Sequence, residues 1–196
     1  MAIDPHDARA TLDRLGPELR ERVAEAAQRL EVPGVAVGIS FGGHEDYASY
    51  GVTSVTNPLP VDEHTLFQIG STGKTFTGTA MMALVERGLV DLNAPVRKYL
   101  PDLELQDEYV TAHVTVGQLL NHTSGWAGDF FLDGGYGDDA LANYVARLAE
   151  APQEHPLGER VSYSNSAVSV AGRVIEVVTD QTFEAAVREL VLEPLG

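Results

Sequence analysis

The chain has no cysteine among its 196 residues, which excludes a disulfide framework, a zinc–thiolate site and a thiol nucleophile. It is also poor in basic residues, with 13 lysines and arginines against 29 acids and a formal net charge of -16. Nucleic acid and anionic membrane surfaces would be repelled by that charge, so neither is expected as a partner. The bland reading of such acidity is a solvated, soluble surface. No apolar run approaches the ~20 residues needed to cross a bilayer. Met1 to Ala10 lacks a basic segment leading into an apolar one, so no secretory signal is seen and a cytoplasmic location is expected. No repeat or low-complexity linker interrupts the chain.

What is present is one core's worth of apolar residues, 44% of the total, with clear periodicities. From Asp7 to Leu30 apolar residues recur every three or four positions among charges, an amphipathic helix that Gly16-Pro17 is expected to break or restart. Pro33-Gly34 stops it. Val35 to Phe41 and Asp46 to Val55 are extended runs around a Gly42-Gly43 turn signal, predicting a β-hairpin. Beyond Asn57-Pro58 helices dominate: Thr75 to Arg87, with Gly88 as a left-handed cap, then Val116 to Asn121, Ala140 to Ala149, Ser166 to Thr179 and Phe183 to Val191. Gly125 to Asp139 is too rich in glycine and aspartate for either regular structure and reads as a surface loop. Two parts are expected, residues 1–58 with the helix and two strands and 59–196, mainly helical. A lone hairpin is marginal in water, and no third convincing strand follows, so the polypeptide reads as incomplete as a folding unit.

Ser71-Thr72-Gly73-Lys74 opens a helical run after the apolar stretch Leu66 to Ile69. A spacing of three puts Ser71 and Lys74 on one helical face, with the serine near the positive end of the helix dipole. A serine hydroxyl hardly ionises at neutral pH, and a lysine amine can serve as its base. Ser-x-x-Lys alone is weak, and a helix cap followed by a surface lysine is the commoner explanation. It gains weight because the chain has only two lysines and because Tyr163-Ser164-Asn165 follows downstream in a short extended segment. Residues two apart in such a segment face the same way. A phenol near an ammonium loses its proton more easily and can act as a general base on Ser71, while Asn165 can bond a substrate amide or hold Lys74. The competing explanation is a core tyrosine beside an asparagine helix cap.

These motifs, with Phe67 to Lys74 (FQIGSTGK), Gly88 to Leu103 (GLVDLNAPVRKYLPDL), Val114 to Trp126 (VTVGQLLNHTSGW), Val161 to Asn165 (VSYSN) and Leu192 to Gly196 (LEPLG), resemble the N-terminal portion of the serine β-lactamase-related family. That family comprises class C β-lactamases, DD-peptidases and family VIII esterases. The resemblance runs from about Val32 to the last residue and implies an α+β fold of the β-lactamase/transpeptidase type, a helical subdomain packed on a mostly antiparallel sheet with the site between them. It further implies Ser71 as the acylated nucleophile, Lys74 and Tyr163 as the acid/base pair, Asn165 as a contact to the substrate amide, and the Ser71 N–H as half of an oxyanion hole. The family's third motif, of the Lys/His-Thr/Ser-Gly type on a later strand, has no counterpart here, since His122 to Gly125 closes a helix in the family. The chain therefore reads as truncated, or as needing a C-terminal segment, a complementing chain or a second copy.

A lone His122 among helix-ending residues reads as a structural hydrogen-bonder. Asp129, Asp133, Asp138 and Asp139 lack the spacing of a calcium loop and read as solvated acids, leaving no metal ligand set. Trp126, Phe130, Phe131 and Tyr136 either line the pocket or pin the loop, with Trp126 taken as a candidate substrate contact. The expected activity is that of a serine hydrolase acting through an acyl-enzyme on an ester, a β-lactam or a D-amino-acid peptide, with no cofactor. The alternative is a catalytically silent binding or assembly domain.

Overall fold

The computed structural model describes residues 5–196; Met1 to Asp4, the start of the segment read for an export signal, lie outside the described residues. The chain forms two compact units divided between Gln68 and Ile69.

The first unit holds α1 (Pro5–Arg29), β1 (Gly34–Phe41) and β2 (His44–Gly51). Helix α1 turns Ala8, Leu12 and Ala27 inward against the hairpin, as the three-and-four spacing predicts. It runs unbroken through Pro17, contrary to the expected interruption. Proline still costs the helix one N–H donor, but one of its clashes, with the Cβ of the residue before it, is missing because that residue is Gly16. The same bareness admits the hairpin, since a Cβ on Gly16 would stand 2.2 Å from Asp46 Oδ2. Across this contact the Arg20 guanidinium donates to Asp46 Oδ1 and to the Tyr47 carbonyl, both at 3.0 Å.

The strands pair antiparallel from Gly34 opposite Gly51 to Phe41 opposite His44, leaving a two-residue turn of Gly42 and Gly43. Both have positive φ, 58° and 80°, the handedness that matches strand twist and that glycine adopts without strain. Strand β2 stops at Gly51 rather than at Val55. Gly51 has φ 83°, and a Cβ there would lie 2.0 Å from the Pro33 carbonyl oxygen, so the chain turns off the ladder. Residues 59–61 then fold back onto the end of the hairpin through Thr53 N–H to Leu59 O and Val61 N–H to Gly51 O.

The second unit is helical: α2 (Gly73–Glu86), α3 (Glu108–His113), α4 (Val116–Leu120), α5 (Ala140–Ala146), α6 (Asn165–Thr179), α7 (Phe183–Val187) and α8 (Glu193–Leu195). Helix α6 is central and packs against α2, α4, α5 and α7. Its buried face of Val170, Ala171, Val174 and Ile175 joins Met81, Leu84, Leu119 and Leu148 in one core. Gly88, with φ 71°, ends α2 in a Schellman arrangement in which Leu89 N–H reaches Leu84 O and Gly88 N–H reaches Val85 O. Thr115 and Gln118 form a capping box on α4, and Ser164 caps α6 by accepting from Ala167 N–H at 2.9 Å. Glu176 is buried, and its carboxyl oxygens accept from Arg173 at 2.8 Å and from Phe183 N–H at 3.1 Å.

Three helical expectations need adjustment. Helix α3 was not anticipated, although Asp107 caps it by accepting from Val110 N–H at 3.0 Å. Helix α5 ends at Ala146 and tightens into a 3-10 turn over Leu148–Glu150. The last predicted helix divides, α7 giving way to a wider π-type turn at Arg188–Leu192. Among the described residues no helix is long and apolar enough to cross a membrane.

Candidate active site

The second unit brings Ser71, Lys74 and Tyr163 together. Ser71 lies in a 3-10 turn, Gly70–Thr72, that leads directly into α2. Gly70 carries φ 55°, a left-handed conformation that lets the chain turn sharply into the helix and leaves the serine exposed at its start. Lys74, in the first turn, donates from Nζ to Ser71 Oγ at 3.1 Å. Tyr163 arrives from 92 residues away and donates from its phenol to the same Oγ at 2.7 Å. The Lys74 ammonium also stands over the Tyr163 ring, 4.8 Å from its centroid.

This neighbourhood makes the phenol more acidic than an ordinary tyrosine. The polar contact of the Lys74 ammonium is the first cause and the Ser71 hydroxyl the second; partial burial and the charge of Asp129 oppose them. Ionised Tyr163 would reverse its hydrogen bond and accept the Ser71 proton, while neutral Tyr163 is a donor ready to return one.

Tyr163 is held by a residue that sequence reasoning set aside. The His122 ring lies 4.7 Å from the Tyr163 ring, centroid to centroid. Its Nδ1 accepts the Ser164 N–H at 3.2 Å, and its carbonyl accepts the Ser162 N–H at 2.8 Å. His122 thus grips the extended segment on both sides of the tyrosine. Accepting at Nδ1 requires the proton to sit on Nε2. Burial, then the charge of Lys74, lowers the imidazole pKa below 6.5 and favours this neutral form. The residue has φ 61°, a left-handed turn that aims the ring under Tyr163. The expectation of a structural hydrogen-bonder fits this geometry; its placement beneath the phenol is a tertiary fact.

Asn165 begins α6, and its side-chain amide donates to Asp129 Oδ1 at 2.6 Å. Asp129 is brought there by Gly128, whose carbonyl accepts both Asn165 N–H and Ser166 N–H at 3.0 Å. A Cβ on Gly128 would sit 2.1 Å from the Tyr163 carbonyl oxygen, so only glycine permits this approach. Asp133 instead accepts from Gly135 N–H at 2.9 Å within its own turn.

Trp126 does not face a ligand. Its side chain is 1% exposed, and its indole N–H donates to Ser166 Oγ at 2.9 Å. Ser166 in turn donates to the Ala127 carbonyl at 2.8 Å, riveting the loop to α6. The expected substrate contact is thus a core residue, because the indole finds its one polar partner inside the protein. Phe130 is half-buried against the same core, while Phe131 and Tyr136 are exposed.

The family model described as Beta-lactamase matches residues 19–196. This chain belongs to the Beta-lactamase family. Penicillin-binding protein 4 of Amycolatopsis lactamdurans is 37% identical over 177 residues, covering 90% of this chain and 46% of that protein. The crystal structure of SurE superposes with a TM-score of 0.76 at 30% identity, covering 95% of this chain and 39% of that one. A class C beta lactamase from Rhodobacter sphaeroides gives a TM-score of 0.67 at 27% identity, covering 88% of this chain and 47% of that one. The α+β, β-lactamase/transpeptidase-like fold class is that of these Beta-lactamase-family neighbours. The chain spans about half the length of the curated relatives it matches.

Proposed function

We propose that this chain carries the nucleophile and proton-transfer groups of a serine hydrolase that works through an acyl-enzyme. The observation that supports this most is the convergence of two proton-bearing groups on one hydroxyl, Lys74 Nζ at 3.1 Å and Tyr163 Oη at 2.7 Å from Ser71 Oγ. An isolated serine at a helix start needs neither.

In the proposed reaction Ser71 Oγ attacks an acyl carbonyl as its proton passes to ionised Tyr163, whose charge Lys74 stabilises. The tetrahedral oxyanion takes the Ser71 N–H as one donor. Tyr163 then protonates the leaving oxygen or nitrogen as the carbonyl re-forms, leaving an ester on Ser71. In the second half Tyr163 takes a proton from water, the hydroxide attacks that ester, and Ser71 leaves with the proton. Protein groups and water balance every step, so no cofactor is needed. Esters, β-lactams and D-amino-acid peptides are the substrate classes proposed, on the likeness to penicillin-binding proteins and β-lactamases.

The test is intact mass after incubation with a fluorophosphonate and, separately, a fluorescent penicillin, comparing wild type with Ser71→Ala. A single adduct present in wild type and absent in the variant is expected. Folded wild-type protein that takes up neither reagent would instead favour a binding or assembly domain.

A further inference from the structure

His122 acts on the proposed catalytic centre through a single peptide. The N–H that its Nδ1 accepts, at 3.2 Å, belongs to the Tyr163–Ser164 peptide, so this bond fixes the plane from which the Tyr163 side chain springs. Among the described residues the Ser164 N–H has no second partner, and Ser164 is fully buried, which denies that donor water. The phenol in turn owes its use to where it stands, 2.7 Å from Ser71 Oγ.

Only one protonation state of the imidazole can hold that peptide. A proton on Nδ1 would set two N–H donors head to head, and turning the ring over offers Ser164 a C–H instead. The bond from Ser162 N–H to the His122 carbonyl survives either way, so the segment keeps one anchor and loses the other. The groups bearing on the imidazole are Lys74, whose charge opposes protonation, and the Tyr163 ring at 4.7 Å; Asp129 bears on the phenol and not on the imidazole. Two effects of an imidazolium therefore compete at Tyr163. Its charge beneath the ring makes the phenol more acidic, which at a partly exposed site is worth about fivefold or less. Its lost bond shifts the phenol away from Ser71, and a misplaced acid or base forfeits about 10²–10⁴-fold. The displacement outweighs the charge.

We propose that His122 is a positioning residue that gates the site by pH: neutral, it locks Tyr163 onto Ser71, and protonated, it releases the Tyr163–Ser164 peptide and silences the nucleophile. Only the second half of this proposal rests on the acyl-transfer reading of Ser71. Burial and the Lys74 charge hold the imidazole pKa below 6.5, so the site is open at neutral pH and closes as pH falls through that lowered value.

The lock is tested by NMR from about pH 5 to pH 8, the range in which a histidine titrates. The His122 ring is assigned by its absence in His122→Asn. The Ser164 amide proton should move upfield on acidification, as a lost hydrogen bond requires, with the same midpoint as the His122 ring. In His122→Asn it should stay put, because the asparagine oxygen accepts the Ser164 N–H at every pH and asparagine tolerates the φ of 61°. The gate is tested by labelling with a neutral fluorophosphonate. The wild-type rate divided by the His122→Asn rate should be constant above the midpoint and fall about tenfold per pH unit below it. A flat ratio would overturn the proposal, as would a rising one, since the imidazolium charge would then outweigh the lost bond. So would a His122 ring that stays neutral down to about pH 5, or a fall in labelling accompanied by loss of circular dichroism, which is unfolding rather than gating. If Ser71 takes up no label at any pH while the Ser164 amide and the His122 ring still titrate together, the lock stands and the acyl-transfer reading falls.

Discussion

Replacing Ser166 by alanine removes one hydroxyl that makes three contacts. It accepts from the Trp126 indole at 2.9 Å, donates to the Ala127 carbonyl at 2.8 Å and lies 3.1 Å from Ser164 Oγ. The Ala127 carbonyl belongs to a half-buried residue, which leaves water some access, but the indole N–H sits on a side chain only 1% exposed. Leaving that donor unpaired costs about 1–3 kcal/mol, so a destabilisation of about 2 kcal/mol is expected for Ser166→Ala. Trp126→Phe removes the donor instead, leaves Ser166 its other partners and costs about 1–2 kcal/mol in contact and bonding. The double variant should be less destabilised than the sum, by roughly 1 kcal/mol, because neither half of the bond is then stranded. Urea unfolding followed by circular dichroism measures all four proteins. Trp126 is the only tryptophan, so the emission of wild type and Ser166→Ala reports the same transition from within the second unit. Adduct formation at Ser71 should slow in Ser166→Ala, since the rivet also holds the Asp129 loop to the start of α6. A Ser166→Ala protein within about 0.5 kcal/mol of wild type, or strictly additive substitutions, would refute the reasoning.

Three further outcomes are expected. Tyr163→Phe should slow Ser71 labelling by about 10²–10⁴-fold, the usual worth of a positioned acid or base. A difference ultraviolet titration, wild type minus variant, should show the phenolate appearing below 10.0, the direction set first by Lys74 and then by Ser71. His122→Ala should slow labelling while His122→Asn, which can still accept the Ser164 N–H and tolerates a left-handed φ, recovers much of it. Because the imidazole pKa is lower folded than its ordinary 6.5, the unfolded chain binds more protons just below that pH. Stability supplied by neutral His122 is therefore intact above about pH 6.5 and declines as pH falls toward the folded pKa; wild type should lose more stability over that window than His122→Asn. Gly128→Ala should cost about 1–3 kcal/mol and depress labelling, because its Cβ would meet the Tyr163 carbonyl oxygen at 2.1 Å; an unperturbed melting temperature would contradict that.

The parts of this protein legible in the sequence are those governed by neighbours along the chain. The three-residue spacing of Ser71 and Lys74, the Gly42-Gly43 turn, the Gly88 cap and the apolar face of α6 are local, and each is found where its pattern puts it. Most of the differences are tertiary or concern one missing atom, and one, the cap of α3, is local. Pro17 signals a break by its missing donor, yet α1 continues through it, helped by Gly16, which has no Cβ to meet the proline ring. Asp107, the cap that announces α3, was overlooked although it is a local signal. Trp126 looked like a pocket residue until Ser166, 40 positions away, claimed its indole. His122 and Asp129 were read as a bonded histidine and a loop acid. Neither description contains the partners, Ser164 and Asn165, that set them beside Tyr163.

The 92-position separation of Ser71 and Tyr163 also bears on the order in which this molecule acquires the chemistry proposed for it. Ser71 and Lys74 meet as soon as the first turn of α2 forms, on the timescale of a helix. Tyr163 joins them only after a long loop has closed, and loop closure must be entropically compensated by the packing of α6 on α2 and α4. A chain caught partway through folding would therefore show α2 and its serine–lysine pair without a reactive hydroxyl. On the proposed mechanism, nucleophilicity at Ser71 is a late event in refolding, and labelling by a fast serine reagent should time the final docking of α6 rather than the appearance of helix.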